Sequence, residues 1–63
     1  MVKVGALVRV IYPQYAANLI GRVIAQESSG RWIVELNTNP LNDGQAQLIL
    51  SLNESDFILI ESD

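Results

Sequence analysis

Gly30-Arg31-Trp32-Ile33-Val34-Glu35-Leu36 puts Trp32, Val34 and Leu36 on one side of an extended chain and Arg31, Ile33 and Glu35 on the other. Alternation with period two is the pattern of a strand with one buried face. Trp32 is the single tryptophan and brings more apolar area than any other side chain present, so it is expected in the core. Ser28-Ser29-Gly30 precedes the stretch as a turn signal, and the polar run Asn37-Thr38-Asn39-Pro40 follows it. The segment is expected to be the central strand of a small barrel. No catalytic constellation accompanies it, so the chain is expected to bind rather than to catalyse.

Reading outward, Glu27-Ser28-Ser29-Gly30 is a short hairpin turn in which Gly30 is free to take a positive φ. It joins the strand to an earlier one, Ile20 to Gln26, with Val23 and Ala25 expected inward and Arg22 and Ile24 outward. Gly21 near its start marks a bulge or a close backbone approach. Val4 to Ile11 reads as the first strand, with Ala6, Val8 and Val10 on one face and Leu7, Arg9 and Ile11 on the other. Pro13 ends it, because proline cannot donate to a ladder. Ala16 to Leu19 reads as an extended loop, a helical turn being the alternative.

Downstream, Asn37 to Gly44 is the longest polar stretch and holds the turn signals Asn39-Pro40 and Asn42-Asp43-Gly44. It is either a plain hairpin loop or a place for function. Gln45 to Leu52 is the fourth strand, with Leu48, Leu50 and Leu52 inward and Ile49 outward. Asn53 to Asp56 suits a single 3₁₀ turn. Phe57 to Ile60 is the fifth strand, closing onto the start of the chain. Five short strands with a 3₁₀ turn before the last predict an all-β, five-stranded SH3-like barrel over residues 1–63. Closing the sheet would hide its edges. An OB-type barrel is the alternative, but it normally needs more residues and a helix between strands three and four.

Composition narrows the function. Sixty-three residues make one domain, and a chain this short buries only about 60% of its unfolded surface. Its stability margin is expected to be roughly 3–5 kcal/mol. There is no cysteine and no histidine, which removes disulfides, thiolate metal sites and the commonest general base. No cofactor motif is present. The net charge is −3, with Lys3, Arg9, Arg22 and Arg31 all in the first half and Asp43, Glu54, Asp56, Glu61 and Asp63 in the second. This is either ordinary surface charge or one basic and one acidic face that steers a charged partner. Phosphate binding normally needs a net basic patch, so nucleic acid is disfavoured. Nothing reads as a signal peptide or a membrane span, and a cytoplasmic location is the default.

Gly5-Ala6-Leu7-Val8-Arg9-Val10, then Pro13, Gly21-Arg22-Val23, Trp32-Ile33-Val34-Glu35-Leu36 and finally Leu52-Asn53-Glu54-Ser55-Asp56-Phe57 form a recognisable order. It resembles the small SH3-like barrels of the electron-transport accessory proteins. These include the E subunit of photosystem I, the variable chain of ferredoxin–thioredoxin reductase and the ferredoxin-docking S subunit of the photosynthetic NDH complex. The likeness spans nearly the whole chain, although Gly-x-x-Val-Arg-Val followed by Gly-x-Val also occurs in KOW modules. The polar stretch after strand three is shorter than in the photosystem I protein and lacks its aromatic residues. The resemblance implies an accessory subunit that does no chemistry, sits peripherally on a membrane complex and helps place acidic ferredoxin. On that analogy Arg9 and Arg22 match basic positions, and Arg31 matches less closely. A KOW-like nucleic-acid or ribosome-associated module and a homo-oligomeric barrel are the alternatives.

Six residues are candidates for a partner surface. Arg9, Arg22 and Arg31 fall on the outward faces of three successive strands, where they form either one patch for carboxylates or a solvated face. Ile24, Ile33 and Ile49 are outward on strands two, three and four. With Leu7, Ile11 and Ile58 they leave an apolar series outside the core, expected to meet a second copy or a protein partner. Tyr12 and Tyr15 are expected to pack in the core or a loop, an aromatic peptide rim being the alternative. Glu54 and Asp56 are expected to cap backbone N–H groups rather than to work as an acid/base pair.

Overall fold

Trp32–Leu36 forms a strand, β3, in which buried and half-buried residues alternate from end to end. In the computed structural model, which describes residues 2–37 and 48–61, it belongs to an all-β chain. The other strands are β1 (Leu7–Val10), β2 (Ile20–Gln26), β4 (Ile49–Leu52) and β5 (Phe57–Glu61). Gln14–Ala16 and Glu54–Asp56 are 3₁₀ turns. All five strands lie in one antiparallel sheet of order β4-β3-β2-β1-β5. The centre is therefore β2 and not β3. At seven residues β2 is the longest strand, and it pairs with β1 through Ile20–Arg22 and with β3 through Gly21–Gln26.

The expected closed barrel is not formed by strand pairing: among the described residues no ladder joins β4 to β5, which are the edges. The sheet is nonetheless curled. Leu52 ends β4 and Phe57 begins β5, and three of the four residues between them are in a 3₁₀ turn. At a rise of about 2 Å per 3₁₀ residue that link reaches roughly 10–13 Å. In a flat sheet four interstrand gaps would hold the edges about 19 Å apart. Curling brings the inner face around a core of Ala6, Val8, Val10, Ala16, Val23, Trp32, Val34, Leu36, Leu52 and Phe57. Leu48 and Leu50 are half-buried against it rather than fully inside.

Several local expectations are corrected. The first strand begins at Leu7, because Lys3 to Ala6 forms a turn closed by the Ala6 N–H donating to Lys3 O at 3.0 Å. Gln14–Ala16 is a 3₁₀ turn that reaches into the start of the expected Ala16–Leu19 loop and buries Ala16, and Ala17 and Asn18 continue it as a turn. Ala25 is exposed although it has the parity of the inward residue Val23. The reason is a bulge: Val23 pairs with Val34 but Ala25 pairs with Ile33, so Ile24 is an extra residue and the alternation shifts by one. A second irregularity leaves Ile60 as the extra residue of β5, between Leu59 opposite Val8 and Glu61 opposite Leu7.

Two glycines answer specific demands. A Cβ on Gly21 would stand 2.8 Å from Val34 Cγ1, 2.9 Å from Glu35 O and 2.9 Å from Leu36 Cδ2, so this is the close backbone approach and not the bulge. Gly30 takes φ of 98° in the β2–β3 turn, where the Gly30 N–H donates to Glu27 O at 2.9 Å. The polar loop from residue 38 and residues 45–47 of the expected fourth strand lie outside the described residues.

Candidate functional site

The outer face of the sheet carries Arg9, Arg22, Ile24, Ile33 and Ile49, and the ladders set them in rows. One row runs Leu7 on β1, Arg22 on β2, Glu35 on β3 and Ile49 on β4, with Glu61 of β5 opposite Leu7 in the ladder. The next row along the strands, toward the C-terminal end of β1, is Ile58, Arg9 and Ile20. On the other side lies the row of Ile24 and Ala25 in the bulge, then Ile33 and Ser51. The β2–β3 turn lies beyond it.

The three arginines do not form one patch. Arg9 is exposed between Ile58 and Ile20. Arg22 is its diagonal neighbour across the β1–β2 ladder and donates from Nη1 to Gly5 O at 2.6 Å. Arg31 sits apart, next to the β2–β3 turn, and is held by β4. It donates from Nε to Ser51 Oγ at 2.9 Å and from Nη2 to Ser51 O at 2.6 Å. The Ser51 hydroxyl in turn donates to Glu27 Oε1 at 2.8 Å. Arg31, half-buried, therefore ties three strands' ends together. Sequence reading missed Ser51 and Glu27 in this role. The two lie 24 positions apart, and no local pattern joins them.

The apolar candidates are also separated. Ile24, Ile33 and Ile49 do not stand side by side on successive strands: Ser51 is opposite Ile33, and Glu35 is opposite Ile49. Ile49 is 53% exposed and Ile24 40%, whereas Ile33 and Leu7 are half-buried by their neighbours. Ile58 and Ile11 are exposed as expected. The face is a mosaic of apolar and charged residues and not a continuous apolar patch.

The remaining candidates take structural places. Tyr12 and Tyr15 are exposed on the β1–β2 connection, so neither is a core residue. Asp56 Oδ2 accepts from the Asn53 N–H at 3.1 Å, which is the capping role expected of it. Asp56 O accepts from the N–H groups of Ile11 and Tyr12 at 2.8 and 3.2 Å, pinning the end of β1 to the turn before β5. Glu54 Oε2 accepts from Trp32 Nε1 at 3.3 Å and so satisfies the polar end of the largest core side chain.

A convex mosaic of this kind offers contact area, charge and hydrogen bonds to another macromolecule. Among the described residues no cavity opens and no three carboxylates gather. No helix among them is long and apolar enough to cross a membrane. Comparison of the chain with protein-family models, with curated proteins and with solved structures finds no match.

Proposed function

We propose that the chain is a non-enzymatic docking module: an SH3-like barrel acting as a small accessory subunit of a photosynthetic electron-transfer complex, with acidic ferredoxin as its partner. The barrel reading is supported by the antiparallel order β4-β3-β2-β1-β5, by the curl of the sheet and by the 3₁₀ turn directly before β5. The docking reading is carried by Arg9. It stands exposed on the outer face with Ile58 and Ile20 on either side and Arg22 diagonal to it. A guanidinium set among aliphatic side chains suits a partner that presents a carboxylate on an apolar surface, because the aliphatic flanks lower the local dielectric around the pair. With a net charge of −3, binding depends on this local cation and not on the overall field.

The test is an NMR titration of the labelled chain with a plant-type ferredoxin at low and high salt. The expected result is shift changes at Arg9, Ile20 and Ile58 that fade with salt and are lost in Arg9→Glu, with the fold unchanged. An unperturbed spectrum at low salt ends the ferredoxin reading. Binding of mixed RNA with a steep negative salt slope would instead favour the KOW-like alternative.

A further inference from the structure

We infer that the free edge of β5 takes up an extended segment of another protein as an added strand, and that this segment is apolar at its centre with lysine or arginine at both ends. An added strand lies beside β5 in the plane of the sheet and leaves the outer face around Arg9 open. The docking reading and this one therefore stand or fall separately.

β5 has the sequence of an interior strand and the position of an edge. Phe57-Ile58-Leu59-Ile60 is an unbroken apolar run. Such runs are typical of strands buried on both faces in the interior of a sheet. Yet β5 pairs with β1 alone. Of the run only Phe57 is buried; Leu59 is half-buried, and Ile58 and Ile60 are exposed. β3, which has a neighbour on each side, alternates buried and half-buried residues throughout. Successive apolar residues that all keep uncovered surface are what a strand shows when the neighbour on one side is missing.

The backbone of that edge is open. The Ile11 N–H donates to Asp56 O at 2.8 Å. Polar groups alternate in direction along an antiparallel strand, so Asp56 and Ile58 turn theirs to β1. The carbonyl of Phe57 and both polar groups of Leu59 turn away from it. Among the described residues none of these has a backbone partner. The other edge is treated differently. The Leu36 N–H donates to Leu48 O at 2.8 Å, so on β4 it is Ile49 and Ser51 that turn outward. Ser51 O is taken by Arg31 Nη2 at 2.6 Å, and a charged side chain laid over an edge obstructs further pairing. β5 contains no lysine, arginine or proline. The irregularity at Ile60 limits the regular stretch to Asp56–Leu59, so the added ladder is short.

Charge selects the occupant. Glu54 and Asp56 precede β5, Glu61 ends it, and Asp63 follows in the sequence. A second copy paired antiparallel through β5 would set the acidic start of each strand against the acidic end of the other, between chains of net charge −3. A segment with cations at both ends meets opposite charge in both places, and its apolar centre covers Ile58 and Leu59.

The test uses the intact chain and the end-blocked peptide Lys-Lys-Val-Ile-Val-Lys-Lys. With its valines opposite Phe57 and Leu59, their N–H groups point at β5 and that of the isoleucine points away. In an NMR titration at low salt, saturable binding with a Kd below about 1 mM is expected, together with slowed hydrogen exchange at the Leu59 amide. Methylating both valine nitrogens removes the donors and keeps every side chain and charge. It is expected to weaken binding at least about tenfold, whereas methylating the isoleucine nitrogen is expected to weaken it less than about threefold. The peptide Glu-Glu-Val-Ile-Val-Glu-Glu is expected to bind at least about tenfold more weakly. All of these changes are in the peptide, so the folding of the chain is not at issue. Absence of binding at ~2 mM peptide overturns the inference. So does equal binding of the valine-methylated form or of the acidic peptide, or a response at Ile49 and Ser51 in place of Leu59. A Leu59 amide protected by dimerisation without peptide would make a second copy the occupant and overturns it too. Arg9→Glu is expected to keep peptide binding, so loss of ferredoxin docking in that variant has no bearing on these outcomes.

Discussion

On the inner face of β2 and β3, Val23, Val34 and Leu36 are fully buried, and Gly21 leaves no room for even a methyl group. On the outer face of the same two strands, Arg22 and Ile24 are exposed and Ile33 and Glu35 half-buried, with charge and hydrocarbon side by side. The backbone is shared, so the contrast belongs to the side chains alone. The inner set is under the demand of close packing, where each methylene removed or added has a cost. The outer set is free of that demand, and its residue types are open to serve contacts between molecules. A small sheet thus fixes its fold on one face and leaves the other free of close packing.

Four substitutions test that division, beginning with the one expected to cost most. Trp32→Ala removes the largest inner-face side chain and the donor to Glu54. It should cost about 3–5 kcal/mol, comparable with the whole stability of so small a domain, and leave the chain largely unfolded by circular dichroism. A cooperative melt close to the wild type would show that the inner face is not the source of stability. Gly21→Ala adds one methyl group to the same face, against a backbone carbonyl that cannot rotate aside. A loss of about 1–3 kcal/mol in urea unfolding is expected, and a neutral result would mean that β2 and β3 can move apart cheaply.

The outer face should respond more weakly, except where it is internally bonded. Ser51→Ala deletes the hydroxyl that links Arg31 to Glu27, and about 1 kcal/mol should be lost. A double-mutant cycle with Glu27→Ala checks that the hydroxyl is responsible, since the two losses should then fail to add. Arg9→Glu changes an exposed side chain and should alter stability by no more than about 0.5 kcal/mol in the same urea experiment, while the proposed ferredoxin docking, tested in parallel, should be lost. A large stability loss there would mean that Arg9 supports the fold and would remove it from the docking surface.

Much of the inner face is legible in the order of residues alone. Alternation in Ala6-Val8-Val10 and Trp32-Val34-Leu36 identifies buried residues because a strand's side chains change sides with every residue, a constraint that needs only neighbours in the chain. The β2 limits, the Gly30 turn and the 3₁₀ turn capped by Asp56 are readable for the same reason. Ala25 is not, because a bulge is a relation between two strands. The extra residue at Ile24 exists only relative to the ladder of β3, and past it the local parity rule gives the wrong face.

The candidate surface divides in the same way. That Arg9, Arg22, Ile24 and Ile49 point outward follows from alternation along each strand. Which of them are neighbours follows from register, and register is set by pairings between residues far apart in the chain, such as Leu7 with Arg22 and Glu35 with Ile49. Those pairings remove Arg31 from the patch, set Glu35 between Arg22 and Ile49, and move the centre of the sheet from β3 to β2. Period and turn chemistry are properties of the covalent chain, and they chose the strands and their buried sides. Rows and edges arise only when hydrogen bonds between strands fix one register out of several that alternation alone would allow.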